Sequence, residues 1–177
     1  MPFDAAVRAG AYEGPLKTLI LRCKYGPRAS LAAVLGRLLA DRLALADWAD
    51  RVDRIVPVPL HWSRRVRRGF NQALGVAREL VRAVPGVRRV DRWALLRTRG
   101  TPHQTRISAN RRRQNVRGAF RVRRGADLEG RTVLLVDDVM TSGTTVAECT
   151  RVLKRAGAAE VYLAVAATAD FDDPGPW

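Results

Sequence analysis

The sequence predicts an α/β fold, a parallel sheet covered by helices on both faces, and three observations carry that expectation. Short β-branched runs alternate with amphipathic stretches of helical period. The run Val133 to Val136, VLLV, is apolar throughout, as a strand buried on both faces requires. It ends in two adjacent acids, then small hydroxyl residues around a glycine, where ligands enter open parallel sheets. At 177 residues the chain has the length of one domain, against roughly 100–200 residues per domain.

The elements follow in order. Leu16, Leu19, Ile20 and Cys23 recur at helical spacing in PLKTLILRCKYG, and Gly26-Pro27 stops that helix. Ser30 is placed to cap a second helix, LAAVLGRLLADRLALA, with an apolar stripe running from Leu31 to Leu43. In DRIVPVPL, Asp53 to Leu60, the pattern becomes that of a short strand whose prolines suit its end. A basic loop, HWSRRVRRG, comes next, and Phe70, Leu74, Ala77, Leu80, Val81 and Val84 define a third helix ended by Pro85-Gly86. From Arg92 to Ala126 there is no carboxylate, and RTRGTPHQTRISANRRRQN within it reads as an exposed, mobile loop. RGAFRVRRG resumes as a strand, and Val133 to Val136 is the buried one. Thr145 to Ala156 is a helix ended by Gly157, Val161 to Ala167 is the last strand, and the tail DFDDPGPW frays.

Composition narrows the function classes. Lys plus Arg outnumber Asp plus Glu by 32 to 17, a formal net charge of +15, so an anionic partner is expected. Nearly all of that charge is Arg, which suits bidentate phosphate recognition. No apolar run approaches the roughly 18 residues of a membrane span, and MPFDAAVRAG lacks the layout of a signal peptide, so a cytoplasmic location is expected. Cys23 and Cys149 lie far apart with no Cys or His at ligand spacing, which leaves zinc unsupported. His61 and His103 are equally isolated.

The chemistry gathers in VLLVDDVMTSGTT, Val133 to Thr145. Asp137 and Asp138 fall at the carboxyl end of a strand, and adjacent strand residues point to opposite faces, so the pair must serve a ligand across the turn. Thr141, Ser142, Gly143, Thr144 and Thr145 lead into a helix, whose free amides and dipole favour a phosphate dianion. Carboxylates accept hydrogen bonds from sugar hydroxyls while the amides take a phosphate; a ribose 5-phosphate satisfies both halves. A Walker B strand is excluded because the chain has no G-x-x-x-x-G-K-[ST] loop. A phospho-acceptor site is excluded because no other expected strand ends in an Asp.

This stretch resembles the phosphoribosyl pyrophosphate signature of type I phosphoribosyltransferases. Together with YEGPLKTLILRCKYG, VPVPLHWSRRVRRGFNQA and HQTRISANRRRQNVRGAF it resembles the ComF family of competence-related proteins over residues 11–168. Such chains often open with a cysteine-rich zinc ribbon, and the start near Phe3 resembles the point just after it. The resemblance implies a type I phosphoribosyltransferase fold in one domain over 1–177. Within it come a small helical hood over 11–50, an α/β core over 51–168 and a tail over 169–177.

It also implies roles. Asp137 and Asp138 would hold the ribose hydroxyls, and Met140, Thr141, Ser142, Gly143, Thr144 and Thr145 the 5-phosphate. Leu60, His61, Trp62, Arg64, Arg65 and Arg68 occupy the place of a pyrophosphate loop. The long loop would close over the site, with Gln104, Ile107, Arg112, Asn115 and Phe120 matching the family pattern. Arg112 is the first choice for the closing cation, with Arg111 and Arg113 beside it. Magnesium is the implied cofactor, held chiefly by ligand and water with Asp137 and Asp138 as the candidate protein donors. Thr141 stands where hypoxanthine-type relatives carry an Asp base, which argues against that acceptor. Lys24 and Tyr25 match the hood pattern. Two function classes remain: a phosphoribosyltransferase with an unidentified acceptor, and a non-enzymatic competence factor binding phosphoribosyl pyrophosphate or single-stranded DNA alongside DNA-uptake machinery. Stacking on Trp62 and Phe70 would serve the second class; either class is compatible with an oligomer.

Overall fold

The computed structural model describes residues 2–25, 30–60, 69–87, 89–100 and 115–169. In chain order it contains β1 (Ala5–Ala11), α1 (Gly14–Tyr25), α2 (Ser30–Leu43), a 3₁₀ turn (Ala49–Arg51), β2 (Arg54–Pro57) and α3 (Gln72–Leu80). There follow a second 3₁₀ turn (Val81–Ala83), β3 (Leu95–Arg97), β4 (Phe120–Val122), β5 (Thr132–Met140), α4 (Thr144–Arg155) and β6 (Glu160–Thr168). The main sheet has the order β1-β6-β5-β2 with every pairing parallel; β3 and β4 form a separate antiparallel pair.

Strand alternation explains why helices cover both faces. In β5, Leu134 and Val136 join one apolar cluster, which is filled by Ile20 of α1, Leu35 and Leu39 of α2, and Val76 and Leu80 of α3. Val133 and Leu135 join the other, with Cys149 and Leu153 of α4, Leu95 of β3 and Phe120 of β4. β6 repeats the division, sending Tyr162 and Ala164 to the first cluster and Val161 and Leu163 to the second. A strand buried on both faces needs an unbroken apolar run, and both β5 and β6 supply it. The close crossing of α2 and α3 depends on missing side chains: a Cβ on Gly75 would stand 2.6 Å from that of Ala32. The two helices assigned to the hood thus share one cluster with the sheet.

Four differences from the sequence reading have physical causes. β1 was not expected, because AAVRAGA lacks both alternation and β-branched residues apart from Val7; tertiary pairing with β6 makes it a strand. Asp4 pins its start by accepting the Val161 amide at 2.7 Å. β3 is three residues long, too short to show a period. β5 runs past Val136 through both acids to Met140, since β6 continues to pair with it as far as Thr168. The third helix begins after Phe70: Asn71 caps it, accepting the Ala73 amide at 3.1 Å and donating to the Val58 carbonyl at 3.1 Å. Among the described residues no helix is long and apolar enough to cross a membrane.

Candidate functional site

The carboxyl end of β5 carries Asp137 and Asp138 to the rim of the sheet. Lys24, in the last turn of α1, places its Nζ 3.0 Å from Asp138 Oδ2, with side chains only 16% and 14% exposed. Asp138 therefore faces the α1 side. Asp137 faces the other way, close enough to Cys149 of α4 that its charge adds to the burial that pushes that thiol well up. The Asp138 amide donates to Asp137 Oδ1 at 2.8 Å. Burial raises the Asp137 carboxyl to about 7, and the charge of Asp138 adds to the rise; the Asp138 amide and Lys24 oppose it. Two carboxyl groups that are neighbours in sequence are thus placed unlike each other, one against a cation and one against a buried thiol.

The turn that follows is built to leave amides free. Gly143 precedes α4 with φ +67°, a left-handed torsion that costs other L residues roughly 1–2 kcal/mol. No side chain caps the helix. The Ala147 amide donates to the Gly143 carbonyl at 2.8 Å, while those of Thr144, Thr145 and Val146 have no acceptor among the described residues. Ser142 Oγ and Thr144 Oγ1 lie 3.0 Å apart on the exposed side of the turn. Free amides, hydroxyls and a helix N-terminus are groups that can donate to an anion, and the acids just before them can accept from hydroxyl groups.

A cleft of about 790 Å³ starts at Ser142, Gly143 and Thr144 and continues along α4 to Arg151 and Arg155, with Arg117 and Gly118 among its lining. Glu148 anchors its wall. Oε1 accepts the Gly118 amide at 2.7 Å and the Arg151 guanidinium at 2.6 Å, and Oε2 accepts Arg151 Nε at 2.8 Å. Arg151 in the first place, and the Gly118 amide after it, hold this carboxyl below its usual range. Next to it the described segments that end at Gly100 and begin at Asn115 lie together. The Arg99 guanidinium donates to the carbonyls of Asn115 at 3.4 Å and Arg117 at 2.9 Å, and the Thr98 amide donates to the Ala119 carbonyl at 2.9 Å.

The expected site residues divide accordingly. Asp137, Asp138 and Thr141 to Thr145 come together at one rim. Met140 meets the turn from beneath: its side chain is buried in the second cluster and its carbonyl accepts the Ala169 amide at 2.9 Å. Phe70, half-buried, packs against the first cluster. Phe120 is buried in the second. Leu60 is half-buried at the end of the described segment after β2. His61, Trp62, Arg64, Arg65, Arg68, Gln104, Ile107, Arg111, Arg112 and Arg113 lie outside the described residues.

Sequence reasoning gave Lys24 no partner and did not single out Glu148, Arg151 or Gln72. Lys24 stood out only as part of a pattern, and its partner lies more than a hundred residues away. Glu148 and Arg151 are legible as an i, i+3 pair, but the Gly118 amide is not. Gln72, almost wholly buried at the start of α3, donates to the Cys23 carbonyl at 3.5 Å; its Oε1 has no partner among the described residues. It ties α3 to the turn of α1 that carries Lys24. Among the described residues no group of three or more His, Cys, Asp or Glu could hold a metal ion.

The family model described as a phosphoribosyl transferase domain matches residues 31–174. DNA utilization protein YhgH of Escherichia coli strain K12 is 39% identical over 165 residues, 92% of this chain and 71% of that protein. Competence protein F of Haemophilus influenzae is 35% identical over 170 residues, 91% of this chain and 71% of that protein. Among solved structures, the glutamine phosphoribosylpyrophosphate amidotransferase of B. subtilis superposes with a TM-score of 0.53 at 24% identity. That superposition covers 82% of this chain and only 30% of the amidotransferase, and shows the fold alone.

Proposed function

Since the chain belongs to the phosphoribosyl transferase domain family, alongside competence protein F, we propose that it binds 5-phosphoribosyl 1-pyrophosphate with magnesium and transfers phosphoribose to an acceptor with release of pyrophosphate. One observation carries the reading: three amides without an acceptor among the described residues head α4, directly after two carboxylates at the end of a buried strand. The 5-phosphate accepts from the amides of Thr144, Thr145 and Val146 and from the hydroxyls of the turn. The ring hydroxyls donate to Asp138, which Lys24 already flanks, and to Asp137.

Displacement at the anomeric carbon breaks the bond to pyrophosphate through an oxocarbenium-like state, and the protein's part is to position and neutralise. In this reading Arg112, with Arg111 and Arg113, and Arg64, Arg65 and Arg68 neutralise the departing pyrophosphate. Gln104 and Asn115 belong to the segment that excludes water. Magnesium would be held chiefly by ligand and water; because Asp137 and Asp138 face opposite ways, either would contribute singly as a hard oxygen donor, and the ion would supply charge neutralisation on the pyrophosphate when bound.

A second reading keeps the sugar-phosphate site without the transfer: a competence factor binding phosphoribosyl pyrophosphate, single-stranded DNA or both, in the cytoplasm with DNA-uptake machinery, as a monomer or an oligomer. The names of its relatives, DNA utilization protein and competence protein F, favour it. Titration calorimetry with phosphoribosyl pyrophosphate and magnesium decides whether the site exists. The expected result is binding that falls at least a hundredfold in the Asp137→Asn, Asp138→Asn variant; a wild-type protein that takes up no sugar phosphate ends both the enzyme and the ligand reading. Pyrophosphate release on addition of a metabolite mixture separates enzyme from binding factor.

A further inference from the structure

At the opposite end of the sheet, where β2 begins and the turn before β5 passes, lies a second cleft of about 670 Å³. It belongs to none of the machinery above. Its lining combines Trp93, whose side chain is 47% exposed, with the arginines Arg89, Arg92 and Arg123. The Arg92 guanidinium stacks 4.5 Å from the centre of the Trp93 ring.

Three carboxylates also line this cleft, and the protein's own groups occupy each. Asp53 accepts the Thr132 amide at 2.8 Å and faces Arg131 at 3.7 Å. Asp127 binds Arg54 and Arg131. Asp91 folds back on its own chain, accepting the amides of Trp93 at 3.4 Å and Ala94 at 3.1 Å. Arg89, Arg92 and Arg123 are exposed and have no carboxylate partner among the described residues. The local balance is therefore positive in a chain already at +15.

An exposed indole among uncompensated guanidiniums, in a hollow large enough for one or two nucleotides, has the chemistry that holds bases by stacking and their phosphates by charge. The geometry points to this cleft as a binding site for single-stranded nucleic acid, with a base on Trp93 and flanking phosphates on Arg89 and Arg123. An acidic peptide would satisfy the arginines but leave the indole without a role. The site is separate from the sugar-phosphate turn, and the inference rests on the second reading above, giving its single-stranded DNA a place on the fold: loss of the Trp93 and arginine effects alone ends this site, whereas a wild type that binds no oligonucleotide ends the DNA reading itself.

The test is fluorescence anisotropy with a labelled twelve-nucleotide oligothymidylate and an abasic strand of equal length. Trp93→Ala is expected to weaken oligothymidylate binding about tenfold and leave the abasic strand unchanged, while Trp93→Phe retains most of the affinity. The double variant Arg89→Ala, Arg123→Ala should weaken both strands and flatten the salt dependence by roughly one to one and a half in the log–log slope. Circular dichroism and melting curves of the same variants should match wild type, which confirms that they fold. Equal affinity for the abasic strand, indifference to Trp93→Ala and to the arginine pair, or displacement by polyglutamate at the same concentration would each overturn the proposal.

Discussion

The two ends of the sheet treat charge in opposite ways. At the amino end of the strands every carboxylate near the cleft is tied to the protein: Asp53 and Asp127 to arginines, Asp91 to two amides. At the carboxyl end, amides at the head of α4 lack acceptors among the described residues, and Asp137 is half-buried with a raised pKa. Groups satisfied within the fold contribute stability or shape; groups left unsatisfied there are available to a ligand. On the proposed reading, the contrast separates an end that offers donors and acceptors to a sugar phosphate from one that leaves its arginines, rather than its acids, over for a partner.

The largest expected effect breaks the comparison at Asp137. Its folded-state pKa, about 7, lies above the ordinary 3.8, so the protonated form is favoured by folding. That contribution is complete below pH 4 and is lost as pH rises through 7. Asp137→Asn removes the titration. The variant should gain on the order of a few kcal/mol over wild type between pH 5 and 8 in urea denaturation, with little difference at pH 4. Parallel curves for the two proteins across that range would mean that Asp137 is not desolvated, and the two ends would no longer differ in this respect.

A smaller effect sharpens the same contrast at Gly143. A Cβ there has room, since its nearest atom would be the Met140 sulfur at 3.8 Å, so the penalty of Gly143→Ala is one of torsion alone. Stability should fall by roughly 1–2 kcal/mol. If the turn relaxes to relieve the strain, its amides swing and sugar-phosphate binding drops as well. Unchanged calorimetry beside reduced stability would assign the glycine to folding only.

Legibility follows locality. The buried strand, the acids and the phosphate turn are consecutive in sequence, and a run such as VLLVDDVMTSGTT carries periodicity, charge and turn chemistry within one window. The helices α1 to α4 declare themselves by apolar spacing. What stayed hidden is relational: β1 is a strand because β6 lies beside it, Lys24 matters because Asp138 comes within 3.0 Å, and Trp93 stands out only once three acids near it are seen to be occupied. Met140, which a window reading groups with the turn, shows the same limit, since only the fold reveals that its side chain turns into the core.

The smallest effect belongs to the amino end. Arg54 and Asp127 form a close ion pair, yet their side chains are 34% and 59% exposed. Water and salt screen such pairs, and Arg131, 3.3 Å from Asp127, remains when Arg54 is removed. Arg54, first, and Arg131 hold the Asp127 carboxyl below its usual range, so whatever the pair contributes is present above pH 4 and fades as pH falls further. Arg54→Ala should therefore shift the melting temperature at neutral pH by a degree or two at most, and less in 0.5 M salt. A drop comparable to the Asp137→Asn change would show that the amino end also relies on a strongly desolvated charge, and the distinction between a satisfied end and a binding end would have to be drawn on other grounds.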